Sequence, residues 1–506
     1  MGGPRYDLLV IGGGINGAGV AADAAGRGLS VCLVEQGDLA SGTSQASSKL
    51  IHGGLRYLEH FEFRLVREAL LEREVMLDRA PHIVWPLRFV LPEADGLRSR
   101  LRVQAGLFLY DHLARRRRIP ASRAIDLTAD PAGGVLRSDL RRGFSYWDCW
   151  VDDARLVVLN ARLAAMHGAQ IRTRTRVTAL ARGDEAWTAT LDVGGRRETC
   201  QARVVVNAAG PWADRVAALA RDNAAAGAVH LRLVKGSHIV VPRIAGAEDG
   251  FLFQNIDGRV VFVLPFETAF TLIGTTDVAI SGSPAEATCS AEEEDYLLAA
   301  ANRFLARPLE RGDIVWRFAG VRPLQADEDQ SNPSALSRDY ALELSGTGAG
   351  TAMLSVIGGK VTTYRRLAEA VMDRLAPLFP GLRPAWTASR HLPGGDIPNG
   401  DFGLYVEGLS RLYAWIPEVM MLALARRHGT ATREVIGDAR RLDDMGALFP
   451  GGLSAREVGY LVANEWAMTA DDILWRRTKA GLHATLAGCE EAVTGAVCAL
   501  LPSNRT

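Results

Sequence analysis

The stretch YDLLVIGGGINGAGVAADAAGRGLSVCLVE (Tyr6–Glu35) decides the fold. Its opening run, YDLLVI, is mainly apolar and stops abruptly at glycines, the pattern of a buried parallel strand. Gly12-Gly13-Gly14-Ile15-Asn16-Gly17 fits G-x-G-x-x-G, residues 15–27 read as a helix with small residues on one face, and Ser30–Val34 reads as a second strand ending at Glu35. Strand, helix and strand within about 30 residues make the βαβ unit that opens doubly wound α/β domains. In such a unit Gly12 allows the tight turn, Gly14 lets backbone amides approach a pyrophosphate, and Gly17 lets the helix pack on the strand. The helix N-terminus offers partial positive charge to that phosphate. Glu35 stands where ribose hydroxyls would donate to it. The unit predicts a dinucleotide ligand.

Outward from this unit, composition sets bounds. A chain of 506 residues suggests two or three domains. With 48% hydrophobic and 23% charged residues it is an ordinary globular protein, far from disorder. The 58 basic residues are balanced by 58 acidic ones, so no basic domain invites nucleic acid. Six scattered cysteines (Cys32, Cys149, Cys200, Cys289, Cys489, Cys498) include no CxxC pair, which argues against a zinc knuckle or a disulfide framework and fits a reducing compartment. Residues 8–22 follow Arg5 and mimic a signal-peptide core, but a helical core would not carry so many glycines. No apolar run is long enough to span a bilayer. The expectation is a cytoplasmic protein, or one held peripherally on the inner face of the cytoplasmic membrane.

Only four of the 58 basic residues are lysines: Lys49, Lys235, Lys360 and Lys479. A chain that writes arginine nearly everywhere keeps lysine where a compact charge with a movable pKa is needed, unless base composition alone produced the skew.

Strand-like runs at Arg203–Asn207, His238–Pro242, Arg259–Leu264 and Thr271–Gly274 suggest a second, mixed sheet inserted into the nucleotide-binding domain. Residues 60–80 are apolar at helical spacing and end at Pro81, while residues 97–118 are basic around an apolar middle. A Pro/Gly-rich stretch, Leu392–Gly400, reads as a linker. The fold class is therefore α/β: a dinucleotide-binding, Rossmann-like domain, an inserted mixed-sheet substrate domain and a helical C-terminal domain. The expected division is 1–390 for the oxidoreductase region, with cofactor-binding parts at about 1–80, 150–220 and 350–390 and substrate parts at about 81–149 and 221–349. Residues 391–506 form the helical domain.

FAD is favoured over NAD by spacing along the chain. VVVNAAG (Val204–Gly210), followed by Pro211-Trp212, is a second strand running into a small-residue turn, and Gly358-Gly359-Lys360-Val361-Thr362-Thr363 is a third. Three separated contacts suit a long cofactor held extended. The motifs DLASGTSQ (Asp38–Gln45), ASSKLIHGGLRYLE (Ala46–Glu59), YWDCWVDDARLV (Tyr146–Val157), LVKGSHIVVP (Leu233–Pro242), IGTTD (Ile273–Asp277), GVRPL (Gly320–Leu324), GGKVTTYR (Gly358–Arg365) and WRRTK (Trp475–Lys479) resemble those of FAD-dependent glycerol-3-phosphate dehydrogenases of the bacterial, aerobic type. The resemblance covers nearly the whole chain and weakens in the Ala/Arg-rich stretches around 183–200 and 216–228.

This resemblance implies oxidation of sn-glycerol 3-phosphate to dihydroxyacetone phosphate, with electrons passing from FAD to a membrane quinone, and a homodimer. An oxidase using O2 and an FAD protein without turnover are the alternatives. It implies a cofactor set of Gly12, Gly14, Ile15, Asn16, Gly17, Glu35, Ser47, Ser48, Lys49, Gly54, Val177, Ala209, Gly210, Gly359, Lys360 and Thr362. Substrate contacts would come from Arg56, Tyr57, Arg322 and Arg338, because arginine presents several donors to a phosphate. Removing a hydride from a secondary alcohol also requires a base for its proton. His238 is the first candidate, since imidazole titrates near neutrality; Lys360 is the rival, and Arg322 completes the catalytic set. His52 joins Ser47 and Ser48 as a polar residue suited to hydrogen bonds with the cofactor. Thr275, Thr276 and Asp277 form a turn beside the site or contribute to it. The segment 98–118, with Arg98, Arg100, Arg102 and Arg115–Arg118 around Phe108 and Tyr110, could lie on anionic lipid or end an ordinary packed element.

Overall fold

The computed structural model describes residues 3–94, 100–220, 231–325, 339–346, 351–483 and 486–501. Strand β1 (Arg5–Ile11), helix α1 (Ile15–Gly26) and strand β2 (Val31–Val34) form the expected opening unit. β1 lies at the centre of a sheet whose order is 341–345, 352–357, 196–207, β1, β2, 170–172. The five strands from 352–357 to 170–172 run parallel; the edge strand Ala341–Ser345 is antiparallel. A central parallel strand is covered on both faces, which is why Leu8, Leu9 and Val10 are all fully buried. On one face α1 packs on helices Asp153–Met166 and Tyr364–Leu375, with Ala18, Ala21 and Ala22 allowing close approach.

The strand Arg196–Asn207 begins well before the apolar run at Arg203 because its polar first half pairs antiparallel with Trp187–Val193, outside the parallel core. The helix expected over 60–80 starts at Phe63: Leu55–His60 is a separate 3-10 turn, and Phe61 sits in the left-handed region at φ 59°. The second sheet is mixed, with ten strands among the described residues, and is built on the long strands Val84–Pro92, Arg142–Val151, Leu231–Pro242 and Trp316–Gln325. It also takes in the two-residue strand Leu50–Ile51, so the chain between β2 and Phe63 serves both sheets.

After the linker the chain is helical: Phe402–Leu412, Glu418–His428, Ala455–Glu465 and Leu486–Leu500, with one π turn at Asp472–Arg477. A short antiparallel pair, Leu448–Phe449 with Leu453–Ser454, interrupts them. Buried ion pairs join this region to the oxidoreductase region. Arg155, at the start of helix Asp153–Met166, pairs with Glu465, and neither side chain is exposed. Arg155 also donates to the carbonyl of Arg427, at 3.1 Å from Nε and 2.7 Å from Nη2. Asp38 receives Arg476 Nε at 2.6 Å and both terminal nitrogens of Arg477 at 2.6 and 2.8 Å. Among the described residues, no helix is long and apolar enough to cross a membrane.

Arg155 outweighs burial at Glu465 and holds its carboxyl down to about 2. The stability this carboxylate contributes is complete above its unfolded value near 4.5 and is lost as pH falls toward about 2. Wild-type protein should therefore lose stability more steeply over that window than Glu465→Gln. Glu465→Ala, which strands a buried guanidinium, should cost about 3–5 kcal/mol at neutral pH in urea unfolding.

Candidate active site

A cleft of about 940 Å³ runs from the Gly12–Gly14 turn to the Gly358–Thr362 turn. Gly12 has φ +116°, and a side chain there would lie 2.5 Å from the carbonyl oxygen of Ala208. Only glycine closes this turn. Gly14 caps α1 without a side-chain hydrogen bond; instead Ser44 Oγ accepts from the Ile15 N–H at 2.9 Å. Glu35 accepts from the Gly13 N–H at 2.6 Å and the Gly37 N–H at 2.8 Å. Burial pushes its carboxyl up against the lowering effect of those two amides.

Most of the expected cofactor set lines this cleft: Gly12, Gly14, Ile15, Asn16, Glu35, Ser47, Ser48, Val177, Ala209, Gly210, Gly359, Lys360 and Thr362. Gly17 and Gly54 shape it from behind, Gly17 against the Gly12 carbonyl and Gly54 against the Tyr57 ring. Lys49 is elsewhere. Its ammonium is buried, bonded to Asp153 Oδ1 at 2.8 Å and the Gln45 carbonyl at 2.9 Å, so it fastens the loop rather than touching the cleft. Ser47 Oγ donates to the same carboxylate at 2.7 Å.

At the other end, Tyr57, His52, Arg322, Thr275 and Lys360 share the cleft wall. Lys360 Nζ lies 3.6 Å from the centre of the Tyr57 ring. Arg322 pairs with Asp277 Oδ1 at 2.6 Å and donates to Thr275 Oγ1 at 3.1 Å. Thr276 is buried and turned away, donating to Glu293 at 2.7 Å. Arg56 is half-buried and does not line the cleft, and Arg338 lies outside the described residues.

His238, expected as the proton acceptor, does not reach the cleft surface. It is 1% exposed, stacked 4.8 Å from Phe318, and its Nε2 shares a hydrogen bond of 2.9 Å with Ser48 Oγ. Burial first, then the charges of Arg322 and Lys49, push its pKa well below the ordinary range, so the ring stays neutral. Its route to the cleft runs through Ser48. The imidazole that lines the cleft is His52, held by a hydrogen bond of 3.2 Å from its backbone N–H to Thr362 Oγ1.

Ser44, Trp212 and Arg174 line the cleft as well. Ser44 sits inside DLASGTSQ, whose density of small hydroxyl residues after β2 was the available signal. Arg174 has no local signal. It reaches the cleft because its N–H donates to the Gly37 carbonyl at 2.8 Å and its guanidinium pairs with Asp472 at 2.6 Å.

Residues 7–365 match the family model described as FAD dependent oxidoreductase. The protein belongs to that family. A glycerol-3-phosphate dehydrogenase of Pseudomonas aeruginosa is 51% identical over 478 residues, covering 94% of this chain and 92% of its own. A D-erythritol 1-phosphate dehydrogenase of Brucella abortus is 50% identical over 482 residues, covering 95% of each chain. Among solved structures, the glycerol-3-phosphate dehydrogenase of Bacillus halodurans complexed with FAD matches with a TM-score of 0.75 at 28% identity, covering 96% of this chain and 87% of its own. The cofactor is FAD, and the glycine turn, the open helix N-terminus and Glu35 suit its pyrophosphate and ribose.

Asp38 fixes the loop that carries Ser41–Ser44, so Asp38→Ala should release FAD more readily. Each 1.4 kcal/mol passed from the broken ion pair to the loop raises the FAD dissociation constant about tenfold. Flavin fluorescence after dilution of the holoenzyme measures this.

Proposed function

We propose that this oxidoreductase converts sn-glycerol 3-phosphate to dihydroxyacetone phosphate and passes the electrons to a membrane quinone. The observation that carries the reading is the convergence, on one cleft that also holds the dinucleotide cradle, of two cations (Arg322 and Lys360), the Tyr57 phenol and the His52 imidazole. The names of relatives at about half identity support the same substrate class.

FAD bound in this cleft supplies a two-electron acceptor for the hydride of a carbinol carbon. The protein's own residues do the rest. Lys360 and Arg322 supply positive charge to the phosphate and to the oxygen that becomes the carbonyl. Asp277 and Thr275 fix the Arg322 fork, so its direction is set before substrate arrives. His52 takes the hydroxyl proton, and Ser48, on the cleft wall, is hydrogen-bonded to the neutral His238 behind it.

Attachment to the membrane face belongs to the same reading. Helix Arg100–His112 exposes Leu101, Phe108 and Leu109, and the neighbouring turn exposes Phe61. Arg102, Arg115 and Arg117 are exposed around them, a combination suited to anionic lipid. Arg98 lies outside the described residues. Tyr110 takes no part: it is buried, donating to Asp148 at 2.7 Å and accepting from the Gly53 N–H at 2.8 Å. The expected homodimer stays part of this proposal.

The Brucella relative favours a second reading, in which the longer D-erythritol 1-phosphate is the substrate. Anaerobic addition of each polyol phosphate to the holoenzyme separates the two: the true substrate bleaches the flavin band near ~450 nm, and a quinone analogue restores it. Recovery in air at the same rate without quinone would identify an oxidase.

Arg322→Ala should lower kcat/KM by roughly 10- to 150-fold, the loss of a charge-assisted contact of about 1.5–3 kcal/mol. The exposed Arg411→Ala should change little. His52→Ala should slow flavin reduction by about 10²–10⁴-fold with FAD still bound; an unchanged rate would move the proton to another group.

A further inference from the structure

Arg322 takes its direction from the turn Thr275–Asp277, touching Thr275 Oγ1 at 3.1 Å and Asp277 Oδ1 at 2.6 Å. Between those two contacts stands Thr276, whose side chain points the other way. It is buried, and its Oγ1 accepts from the Ser237 N–H at 2.9 Å while donating to Glu293 Oε1 at 2.7 Å. One hydroxyl, used as donor and acceptor, therefore ties the turn to strand Leu231–Pro242 and to helix Ala291–Asn302.

Glu293 is the fixed point of this arrangement. Its Oε1 also accepts from Ser237 Oγ at 2.9 Å, and its Oε2 accepts from the Ser290 N–H at 2.9 Å and pairs with Lys235 Nζ at 2.8 Å. Burial raises its pKa, but the bonds from Lys235, Ser290, Thr276 and Ser237 outweigh burial and hold the carboxyl below its usual range. It is an acceptor at neutral pH. Both elements that it joins are themselves anchored. Ser290 and Glu293 form the capping box of helix Ala291–Asn302. Strand Leu231–Pro242 pairs with the strand that carries Arg322, with Val234 opposite Arg322 and Gly236 opposite Gly320. A methyl group on Gly236 would lie 2.5 Å from Arg322 Nη2 and 2.7 Å from Thr275 Oγ1. The guanidinium thus lies between the Gly236 backbone and the turn, and where the turn stands sets where the fork points.

We propose that Thr276 and Glu293 are positioning residues for the oxidation: from behind the wall they hold the Thr275–Asp277 turn where it aims Arg322 into the cleft. Neither lines the cleft, and both act through Arg322. The assignment rests on the reading above that Arg322 serves a polyol phosphate. A charged fork displaced by about 1 Å can cost a reaction as much as its deletion, which is why a buried hydroxyl outside the site matters to the rate.

Glu293→Ala would also uncap a helix, so Thr276 carries the test. Thr276→Val keeps the branched shape and removes the hydroxyl. It should lower kcat/KM for anaerobic flavin bleaching by glycerol 3-phosphate about tenfold with FAD still bound. Thr276→Ser, which restores the hydroxyl, should recover most of that loss. Thr276→Ala, which places no methyl against Glu293, should behave as Thr276→Val does, so the test stands even if the bulkier variant misfolds. In an Arg322→Ala background the loss of the hydroxyl should add less than about twofold, because the group it positions is gone. A role confined to stability would leave the two losses multiplying. Multiplied losses, or a wild-type kcat/KM in both Thr276→Val and Thr276→Ala, overturn the assignment. A crystal structure of the Thr276→Ala holoenzyme gives a readout that needs no substrate: the Arg322 fork should have left Thr275 Oγ1, and an unmoved fork overturns the assignment as well. Failure of glycerol 3-phosphate to bleach the wild-type flavin would instead sink the substrate reading, and that structure would still decide what holds Arg322.

Discussion

Two guanidiniums from the helical C-terminal region close on the Asp38 carboxylate at the mouth of the cofactor loop, and the geometry of the cleft follows from that contact. Asp38 is 3% exposed, Arg477 is fully buried, and Arg476 is held in turn by Asp472 at 2.6 Å. From Asp38 the chain runs through Ala40, which sits at φ 64°, to Ser44, whose hydroxyl completes the first turn of α1. Asp472 also fixes Arg174, whose backbone is tied to the Gly37 carbonyl. The loop after β2 is thus pinned from two directions by a region far away in sequence. An intact buried pair of this kind contributes little net stability over apolar packing, whereas breaking it is costly. Its value here is positional.

That dependence explains what could be read from the chain and what could not. β1, α1 and β2 were legible because a buried parallel strand and a glycine turn leave local marks, and Gly12, Gly14 and Glu35 fell where those marks put them. The first half of Arg196–Asn207 left no such mark, since an exposed antiparallel hairpin needs no apolar run. Within the site, Arg322, Tyr57 and Lys360 came from motifs and do meet in the cleft. His238 and Lys49 lay in equally clear motifs and do not. A motif records that a residue matters to the local structure, without recording which way it faces. His238 lies on a strand, where side chains alternate between faces, and its own face is covered by Phe318 and Ser48. Lys49, at φ 57°, is turned inward to Asp153.

Tyr110 shows the same limit on a helix. Its neighbours Phe108 and Leu109 are exposed, yet Tyr110 is in the core because the phenol bridges Asp148 and the Gly53 amide. Asp148 is itself paired with Arg73 at 2.8 Å. An aromatic residue among arginines reads as amphipathic surface until its partners, 38 and 57 residues away, are known.

The four lysines bear on why a chain so rich in arginine retains any. Lys49 fits its ammonium between a carboxylate and a carbonyl inside the loop that follows β2, with two aromatic rings, Phe266 and Phe318, within 5.9 Å. A planar fork carrying five N–H donors would leave several of them unmet in that space. Lys235 occupies a similar niche, bonded to Glu293 at 2.8 Å and to the Thr288 carbonyl at 2.8 Å. Lys360 stands over Tyr57, with its ammonium 3.6 Å from the ring centre. The arginines that matter most (Arg155, Arg322, Arg477) each grip a carboxylate in a fixed direction. Arg155 and Arg477 therefore build the frame by bidentate pairing, Arg322 divides its fork between Asp277 and Thr275, and lysine is kept where the pocket admits a single point of charge. Base composition can favour one codon set over the other, but it does not explain why Lys49 and Lys235 each sit between a carboxylate and a backbone carbonyl.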